Sequence, residues 1–210
     1  MQFEQLLTLV SDLPLFETGL LLTGNVDPDD VRRQLSRWVR AGRIRQLRRG
    51  LYTLAPPYQK VAPHPFLVAN ALVPGSYVTG QSALAFYGLI PEYVPHTLSA
   101  TVLRPMQWDQ FYFQHIASHL FFGYQGNDLS PGQRVFIAAP EKAFLDLAHL
   151  TPNADSPEYL RELRLQNLEQ LNLDRLNEFA QRAGKPKWKR VAAQITSLAL
   201  QEAADYEELS

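Results

Sequence analysis

The order of apolar and polar residues predicts two helices at the start of the chain. Apolar residues recur at the spacing of one helix face over about residues 2–11, namely Phe3, Leu6, Leu7 and Val10. A short apolar stretch after Pro14, residues 15–22, predicts a second helix that ends near Gly24.

The segment that starts at Asp27 carries the signals of a third helix. Asp27 is a preferred N-cap residue, Pro28 suits the first helical position, and two acidic residues follow where the helix dipole is positive. The helix is predicted to run to Ala41, because Gly42 is typical of a helix C-terminus.

The next residues, RIRQLRRGLYTL, predict two short strands that turn at about Arg49-Gly50. Helix, short helix, helix and hairpin in this order are typical of a winged helix-turn-helix. We place this module at residues 1–57 and a linker containing prolines at residues 58–65.

The rest of the chain, residues 66–210, predicts a domain of mixed elements. Strands are predicted at 77–79, 97–103, 108–116, 120–124 and 134–138. Helices are predicted at 66–73, 81–88, 140–150, 157–167, 172–183 and 187–204. The predicted fold class is therefore α+β, an N-terminal winged helix-turn-helix plus a mixed α+β C-terminal domain with a helical C-terminal third.

The composition excludes several kinds of site. The chain has no cysteine, so disulfides, thiolate metal sites and a cysteine nucleophile are excluded. The N-terminus lacks the basic segment of a signal peptide and carries Glu4 and Asp12. No apolar run approaches the ~18 residues that cross a bilayer. We therefore expect a soluble, cytoplasmic protein that does not enter a membrane.

Basic residues are concentrated in one segment, although the net charge of the whole chain is −1. Residues 1–60 carry nine basic and six acidic side chains, and residues 31–60 hold all nine basic ones with no acidic one. Eight of the nine are arginines: Arg32, Arg33, Arg37, Arg40, Arg43, Arg45, Arg48 and Arg49. This imbalance indicates a basic module on a mildly acidic body.

On a helical wheel, the polar side of the third helix lies opposite its apolar side. The apolar side holds Val31, Leu35, Trp38, Val39 and Gly42. The opposite side holds Arg33, Ser36, Arg37 and Arg40, with Arg32 flanking it. Such a helix, followed by an arginine-rich hairpin, fits the major groove of double-stranded DNA.

The residue types predict different contacts with DNA. Arg33 and Arg37 are predicted to contact bases, because arginine donates bidentate bonds to guanine. Ser36 can bond a base or a phosphate. Arg40 and Arg43 are predicted to contact the backbone, and Arg48 and Arg49 to contact phosphates or an adjacent minor groove. The predicted DNA-binding set also includes Arg32 and Arg45. About six arginines on phosphates predict a salt slope of about −5 for the logarithm of the binding constant. A solvated basic face, or a surface for an acidic partner protein, is the alternative.

Three segments of the chain resemble AbiEi-type antitoxins. The stretch VRRQLSRWVRAGRIRQLRRGLYTLAP resembles the winged N-terminal domain of that family. The stretches YVTGQSALAFYGLIPE and APEKAFLDLAHL resemble two later segments in the same order. The resemblance extends from the N-terminus to about Leu150 and is looser beyond.

The resemblance implies a transcriptional autoregulator and antitoxin of a type IV toxin–antitoxin pair. In the family, the winged domain binds inverted repeats in its own promoter, and the C-terminal domain counters a nucleotidyltransferase-like toxin without a stable complex. Repression carries over to Arg33, Ser36, Arg37, Arg40 and the hairpin arginines, because these positions match. A regulator of the same build without antitoxin activity is the alternative.

A second basic cluster surrounds Trp188 at the start of the last predicted helix. Its members are Lys185, Lys187, Lys189 and Arg190. The cluster is interpreted either as a second contact with the DNA backbone or a partner, or as a solvated helix start with Trp188 packed inward.

No residues argue for a metal, a cofactor or a catalytic site. His115 and His119 have the spacing of a helical zinc pair, but their aromatic segment is predicted to be extended, which separates the rings by about 13 Å. Glu141, Asp146 and His149 do not share one helix face. The segment around Tyr87, Gly88 and Pro91 is interpreted as core rather than as a binding cleft. A nucleic-acid enzyme with an unrecognised site stays a rival hypothesis.

Overall fold

The chain forms both helices and sheets, with a run of strands followed by a run of helices, which confirms the α+β fold class. The computed structural model describes residues 1–23 and 26–208, with side chains up to residue 204. Among the described helices, none combines the length and the apolar character that crossing a lipid bilayer requires.

Contacts between residues divide the chain into two compact units. The first unit comprises Met1–Pro74 and Asp128–Val135, and the second comprises Gly75–Asn127 and Phe136–Ser210. The division at 1–57, 58–65 and 66–210 stays a prediction from the sequence.

The first unit contains three helices and a small sheet. The helices are α1 (Phe3–Val10), α2 (Pro28–Arg40) and α3 (Pro65–Leu72). The strands are β1 (Phe16–Glu17), β2 (Ile44–Arg48) and β3 (Leu51–Leu54). They form an antiparallel sheet in the order β1-β3-β2. The predicted first and third helices and the hairpin are confirmed, and together these elements have the arrangement of a winged helix.

The predicted second helix, at residues 15–22, is wrong. Phe16 lies on β1 and pairs with Tyr52 on β3, and the two rings stack at 5.7 Å. Only a single 3₁₀ turn follows, at Thr18–Leu21. The strand forms because its hydrogen-bonding partner is distant in the sequence, which periodicity within the segment cannot indicate. The predicted helix end near Gly24 lies outside the described residues.

One apolar cluster forms the core of the first unit. It comprises Phe3, Leu6, Val10, Phe16, Leu21, Val31, Leu35, Trp38, Ile44, Tyr52 and Leu54. Burial of one large apolar side chain contributes roughly 1.5–3 kcal/mol to stability. Because α2 contributes three of these side chains, packing fixes which side of this helix faces outward.

The second unit holds most of a six-stranded sheet and five helices. The strands are β4 (Tyr77–Val78), β5 (Thr97–Thr101), β6 (Met106–Trp108), β7 (Phe111–His115), β8 (Tyr124–Ser130) and β9 (Gln133–Ala138). Their order is β6-β7-β5-β4-β9-β8, with parallel β4–β9 and β5–β7 pairs. The helices are α4 (Gly80–Phe86), α5 (Pro140–Leu150), α6 (Pro157–Glu162), α7 (Leu173–Ala183) and α8 (Pro186–Glu208).

One strand prediction in this unit is correct only in part, and another is wrong. Strand β7 confirms most of the strand predicted at 108–116, but Trp108 ends β6, because Asp109 has a φ of 53° and reverses the chain between β6 and β7. Aspartate is one of the few residues that adopt this left-handed conformation readily. The strand predicted at 120–124 is replaced by a 3₁₀ turn at Ser118–Leu120, and β8 begins only at Tyr124.

A buried polar cluster joins α5 to β4. Lys142 and Asp146 lie one turn apart on α5, are both fully buried, and form an ion pair. The hydroxyl groups of Tyr77 and Thr79 donate to Asp146 Oδ2 at 2.9 and 2.8 Å. Lys142 Nζ also donates to the Tyr77 hydroxyl oxygen at 2.8 Å. The cluster therefore satisfies the buried carboxylate with three donors.

Burial changes the protonation equilibria of this cluster. Desolvation lowers the pKa of Lys142, against the opposing effect of Asp146. Desolvation and the neighbouring Asp146 carboxylate raise the pKa of Tyr77. The ammonium group lies 5.0 Å from the centre of the Trp188 ring and 5.5 Å from that of Phe122, so aromatic faces stabilise the cation.

We predict that Lys142→Met destabilises the protein by about 3–5 kcal/mol, because Asp146 then loses its buried counter-charge. Urea unfolding followed by circular dichroism measures the change. Lys189→Met removes the same charge from an exposed position and should change stability by less than about 0.5 kcal/mol. A loss below about 1 kcal/mol in Lys142→Met would contradict the assignment of a charged buried pair.

Candidate nucleic-acid interface

Helix α2 presents an apolar side to the core and a polar side to solvent. Val31, Leu35 and Trp38 are buried, as the periodicity predicts. The polar residues Arg33, Ser36, Arg37 and Arg40 are exposed. The side chain of Asp27 caps the helix by accepting a bond from the Asp29 backbone N–H at 2.9 Å.

The first two arginines of α2 form ion pairs with acids of its first turn. Arg32 Nη1 lies 2.7 Å from Asp29 Oδ1, and Arg33 donates to Asp30 Oδ1. The Arg33 guanidinium holds the pKa of Asp30 below its usual value through a hydrogen bond and its charge. The lack of acids within residues 31–60 therefore does not leave these two arginines uncompensated, since the acids just before residue 31 pair with them.

Five other predicted arginines are exposed and, within residues 1–23 and 26–204, form no ion pair with a carboxylate. They are Arg37, Arg40, Arg43, Arg45 and Arg49. Two lie on α2, one follows it, and two lie on the hairpin of β2 and β3. Each guanidinium can donate paired hydrogen bonds to a guanine edge or a phosphate.

A polar cleft lies between the start of α1 and the end of α2. It has a volume of about 320 Å³, and Arg37, Arg43 and Gln34 are among its lining residues. The Arg43 guanidinium lies 4.8 Å from the centre of the Phe3 ring, so α1 orients this arginine. No local pattern in the sequence indicates this contact, because the two residues are distant along the chain.

The structure separates the two arginines at the hairpin turn. Arg49 is exposed, whereas the side chain of Arg48 is 25% exposed and is bound within the unit. Arg48 Nε donates to the Ala71 carbonyl oxygen at 3.1 Å, and its Nη2 donates to Glu17 Oε1 at 3.2 Å. Contact between Arg48 and a phosphate would require these bonds to break.

A β-bulge explains the position of Arg48. The register shifts between Gln46 and Arg48, which leaves Arg48 opposite Leu51. Glu17 on β1 is also opposite Leu51, from the other side of β3. The extra residue in the bulge changes which side chains point to each face of the strand, and it brings Arg48 within reach of Glu17.

The second basic cluster is partly neutralised. Lys187 and Arg190 both lie near Asp155, with N–O distances of 3.6 and 2.6 Å. The hydrogen bond from Arg190 lowers the pKa of Asp155. Trp188 is fully buried, which confirms the interpretation that it packs inward. Lys185 and Lys189 complete the predicted cluster at the start of α8.

The other polar residues singled out in the sequence have structural contacts. Glu141 is fully buried and accepts two bonds from Arg175, both at 2.9 Å. The His115 ring bonds the Leu103 carbonyl oxygen at 3.1 Å. Burial lowers the pKa of His149. Within the described part of the chain, no three His, Cys, Asp or Glu side chains are arranged to hold a metal ion.

The segment around Tyr87 packs its small and aliphatic residues into the second unit. Ala83, Leu84 and Leu89 are fully buried, whereas Phe86 is 39% exposed and departs from the predicted core. A cleft of about 360 Å³ borders this segment, and its lining residues include Gln81, Ile90 and Glu92.

Sequence reasoning missed three acidic residues of the first unit. The spacing of Asp29 and Asp30 from their arginines, three residues each, was a usable signal for ion pairs on a helix. Glu17 carried no such signal, because it lies 31 residues before Arg48. These acids reduce the set of arginines that have no ionic partner.

The fold of the chain is similar to that of a solved structure. The crystal structure of the RV2827C protein from Mycobacterium tuberculosis matches with a TM-score of 0.61 at 15% sequence identity, over 93% of this chain and 76% of that protein. No protein-family model matches this chain, and no curated protein matches its sequence. At this identity the likeness shows the fold alone.

We predict that Arg48→Met and Arg49→Met differ in stability. Arg48→Met should lose about 1–2 kcal/mol, because the Ala71 carbonyl and Glu17 lose a bound donor. Arg49→Met removes an exposed side chain and should change stability by less than about 0.5 kcal/mol. Thermal and urea unfolding of both variants measure the difference. Equal stabilities would contradict the bonds assigned to Arg48.

Proposed function

We propose that this chain binds double-stranded DNA in a sequence-specific manner and represses transcription. The proposal is carried by five exposed arginines of α2, of the residues that follow it and of the β2–β3 hairpin. These five have no carboxylate partner in the described structure: Arg37, Arg40, Arg43, Arg45 and Arg49. They cluster on a winged helix in a chain with a net charge of −1, so a general excess of positive charge does not explain them.

The exposed residues support distinct roles on DNA. Arg37, in the middle of the exposed side of α2, would donate to a guanine in the major groove, and Ser36 beside it would bond a base or a phosphate. Arg33 would contact a base after exchanging its bond to Asp30. The backbone contacts would come from Arg40, Arg43, Arg45 and Arg49.

The resemblance to AbiEi-type antitoxins supports a more specific biological role. On that basis we propose that copies of the chain bind inverted repeats in its own promoter and block transcription sterically. The functional partner would be a nucleotidyltransferase-like toxin, which the second unit would counter without a stable complex. Coexpression with the neighbouring toxin tests this: rescue of growth supports an antitoxin, and repression without rescue supports a stand-alone regulator.

Fluorescence anisotropy with DNA from upstream of the gene and a scrambled duplex tests DNA binding. Binding should prefer the upstream DNA, and the logarithm of its constant should fall with the logarithm of salt at a slope of about −4 for four phosphate contacts. Weak binding without preference would contradict the proposal and would favour an acidic protein as the partner of the arginine surface. Metal-dependent turnover of the bound DNA would instead indicate a nucleic-acid enzyme.

Arg37→Ala should weaken binding to the preferred duplex by about 1–3 kcal/mol and reduce its preference over scrambled DNA, since a base contact is lost. The two duplexes are titrated in parallel at one salt concentration. Equal losses on both would assign Arg37 to the DNA backbone instead.

Arg49→Met should weaken binding to both duplexes and flatten the salt slope by about one unit, because one phosphate contact is lost. Arg161→Met, which removes an exposed arginine from α6 in the second unit, is the matched control and should leave the slope unchanged. An unchanged slope in Arg49→Met would place the hairpin turn outside the interface.

A further inference from the structure

The acids in the first turn of α2 have no role of their own in the DNA contacts proposed above. Asp29 and Asp30 lie within that turn, and Asp27 caps it. Their carboxylates occupy the positive end of the helix dipole, where a phosphate would otherwise be stabilised. The side chains of Asp29 and Asp30 are 71% and 57% exposed, so both remain accessible to an approaching duplex.

The ion pairs change which arginines are available to DNA. Arg32 and Arg33 are 61% and 62% exposed, but each donates to an aspartate three residues earlier. The hydrogen bond that Arg33 donates to Asp30 raises the pKa of Arg33, and the charges of Asp27 and Asp29 act in the same direction. Arg33 is therefore surrounded by negative charge, whereas Arg37 and Arg40 have no carboxylate partner in the described residues.

Phosphates and bases respond differently to this negative charge. A phosphate carries a full charge and is repelled by the three carboxylates at distances within the Debye length of ~10 Å at 0.1 M salt. The O6 and N7 atoms of guanine are neutral acceptors and escape this repulsion, and a cytosine N4 group can donate to a carboxylate. Exposed ion pairs are weak, so a suitably placed base can replace the aspartate.

We propose that Asp29 and Asp30 set the sequence selectivity of the interface by keeping Arg32 and Arg33 away from the phosphates of non-cognate DNA. This inference rests on the proposed function. On a non-cognate duplex the two ion pairs persist and the acids oppose the backbone. On the cognate duplex a base accepts the hydrogen bond that Arg33 otherwise donates to Asp30. The acids therefore weaken binding to the cognate duplex less than binding to a non-cognate one.

Asp30→Asn tests the proposal through the ratio of two affinities. The probes are a duplex that the wild-type protein selects from a random library and a scrambled duplex of the same composition. Asp30→Asn should bind the scrambled duplex roughly threefold to tenfold more tightly, with a salt slope steeper by about one unit, because Arg33 gains a phosphate. Affinity for the selected duplex should rise less, so the preference falls.

A double-mutant cycle tests whether the gain in affinity comes from Arg33. In the wild-type background, Arg33→Met should barely change the affinity for the scrambled duplex, because Arg33 is already bound to Asp30. In the Asp30→Asn background the same substitution should abolish the gain. Additive effects of the two substitutions would overturn the proposal.

Asp12→Asn is the matched control. It removes one exposed carboxylate of the first unit that pairs with Lys60, away from α2, and should leave both the preference and the slope unchanged. The proposal is overturned if this control behaves like Asp30→Asn, or if Asp30→Asn changes both affinities equally or neither. If the wild-type protein selects no duplex, the proposed DNA binding itself has failed, which is a distinguishable result.

Discussion

Burial of one side of α2 is the constraint on which the candidate interface depends. Arg33, Arg37 and Arg40 are close enough along the helix to repel one another, at roughly 0.2–0.5 kcal/mol for each adjacent pair. Three apolar side chains on the opposite side each contribute roughly 1.5–3 kcal/mol when buried. Packing therefore exceeds the repulsion several-fold, and α2 can hold its cationic face outward before any ligand is present.

The first unit distributes its arginines among three environments. Arg32 and Arg33 form exposed ion pairs on their own helix, and Arg48 holds the hairpin against β1 and α3. Among the other arginines of residues 31–60, none has a carboxylate partner in the described chain. Because a guanidinium already bound to a carboxylate gains less from a phosphate, a count of arginines overestimates the electrostatic contribution to DNA affinity. The arrangement of acids matters as much as the number of cations.

In the second unit an ion pair is buried rather than exposed. Lys142 and Asp146 are removed from water altogether, where an ion pair is tolerated only if its remaining hydrogen-bonding groups are also satisfied. Tyr77 and Thr79 supply those bonds from β4 and the residue that follows it. Exposed pairs can exchange partners at little cost, whereas this buried pair cannot. Charge on α2 thus stays exposed and exchangeable, whereas the buried pair fixes the packing of α5 against the sheet.

The sequence alone determined the elements whose signals are local. The spacing of apolar residues and the Asp27-Pro28 start located α2, and the same spacing identified its cationic side. Tertiary structure decided the rest, because strand pairing and side-chain contacts join residues that are distant along the chain. Pairing with β3 made residues 15–22 a strand and a turn, and a bulge turned Arg48 toward Glu17. The buried partners of Lys142 likewise came from another element, which no local pattern can indicate.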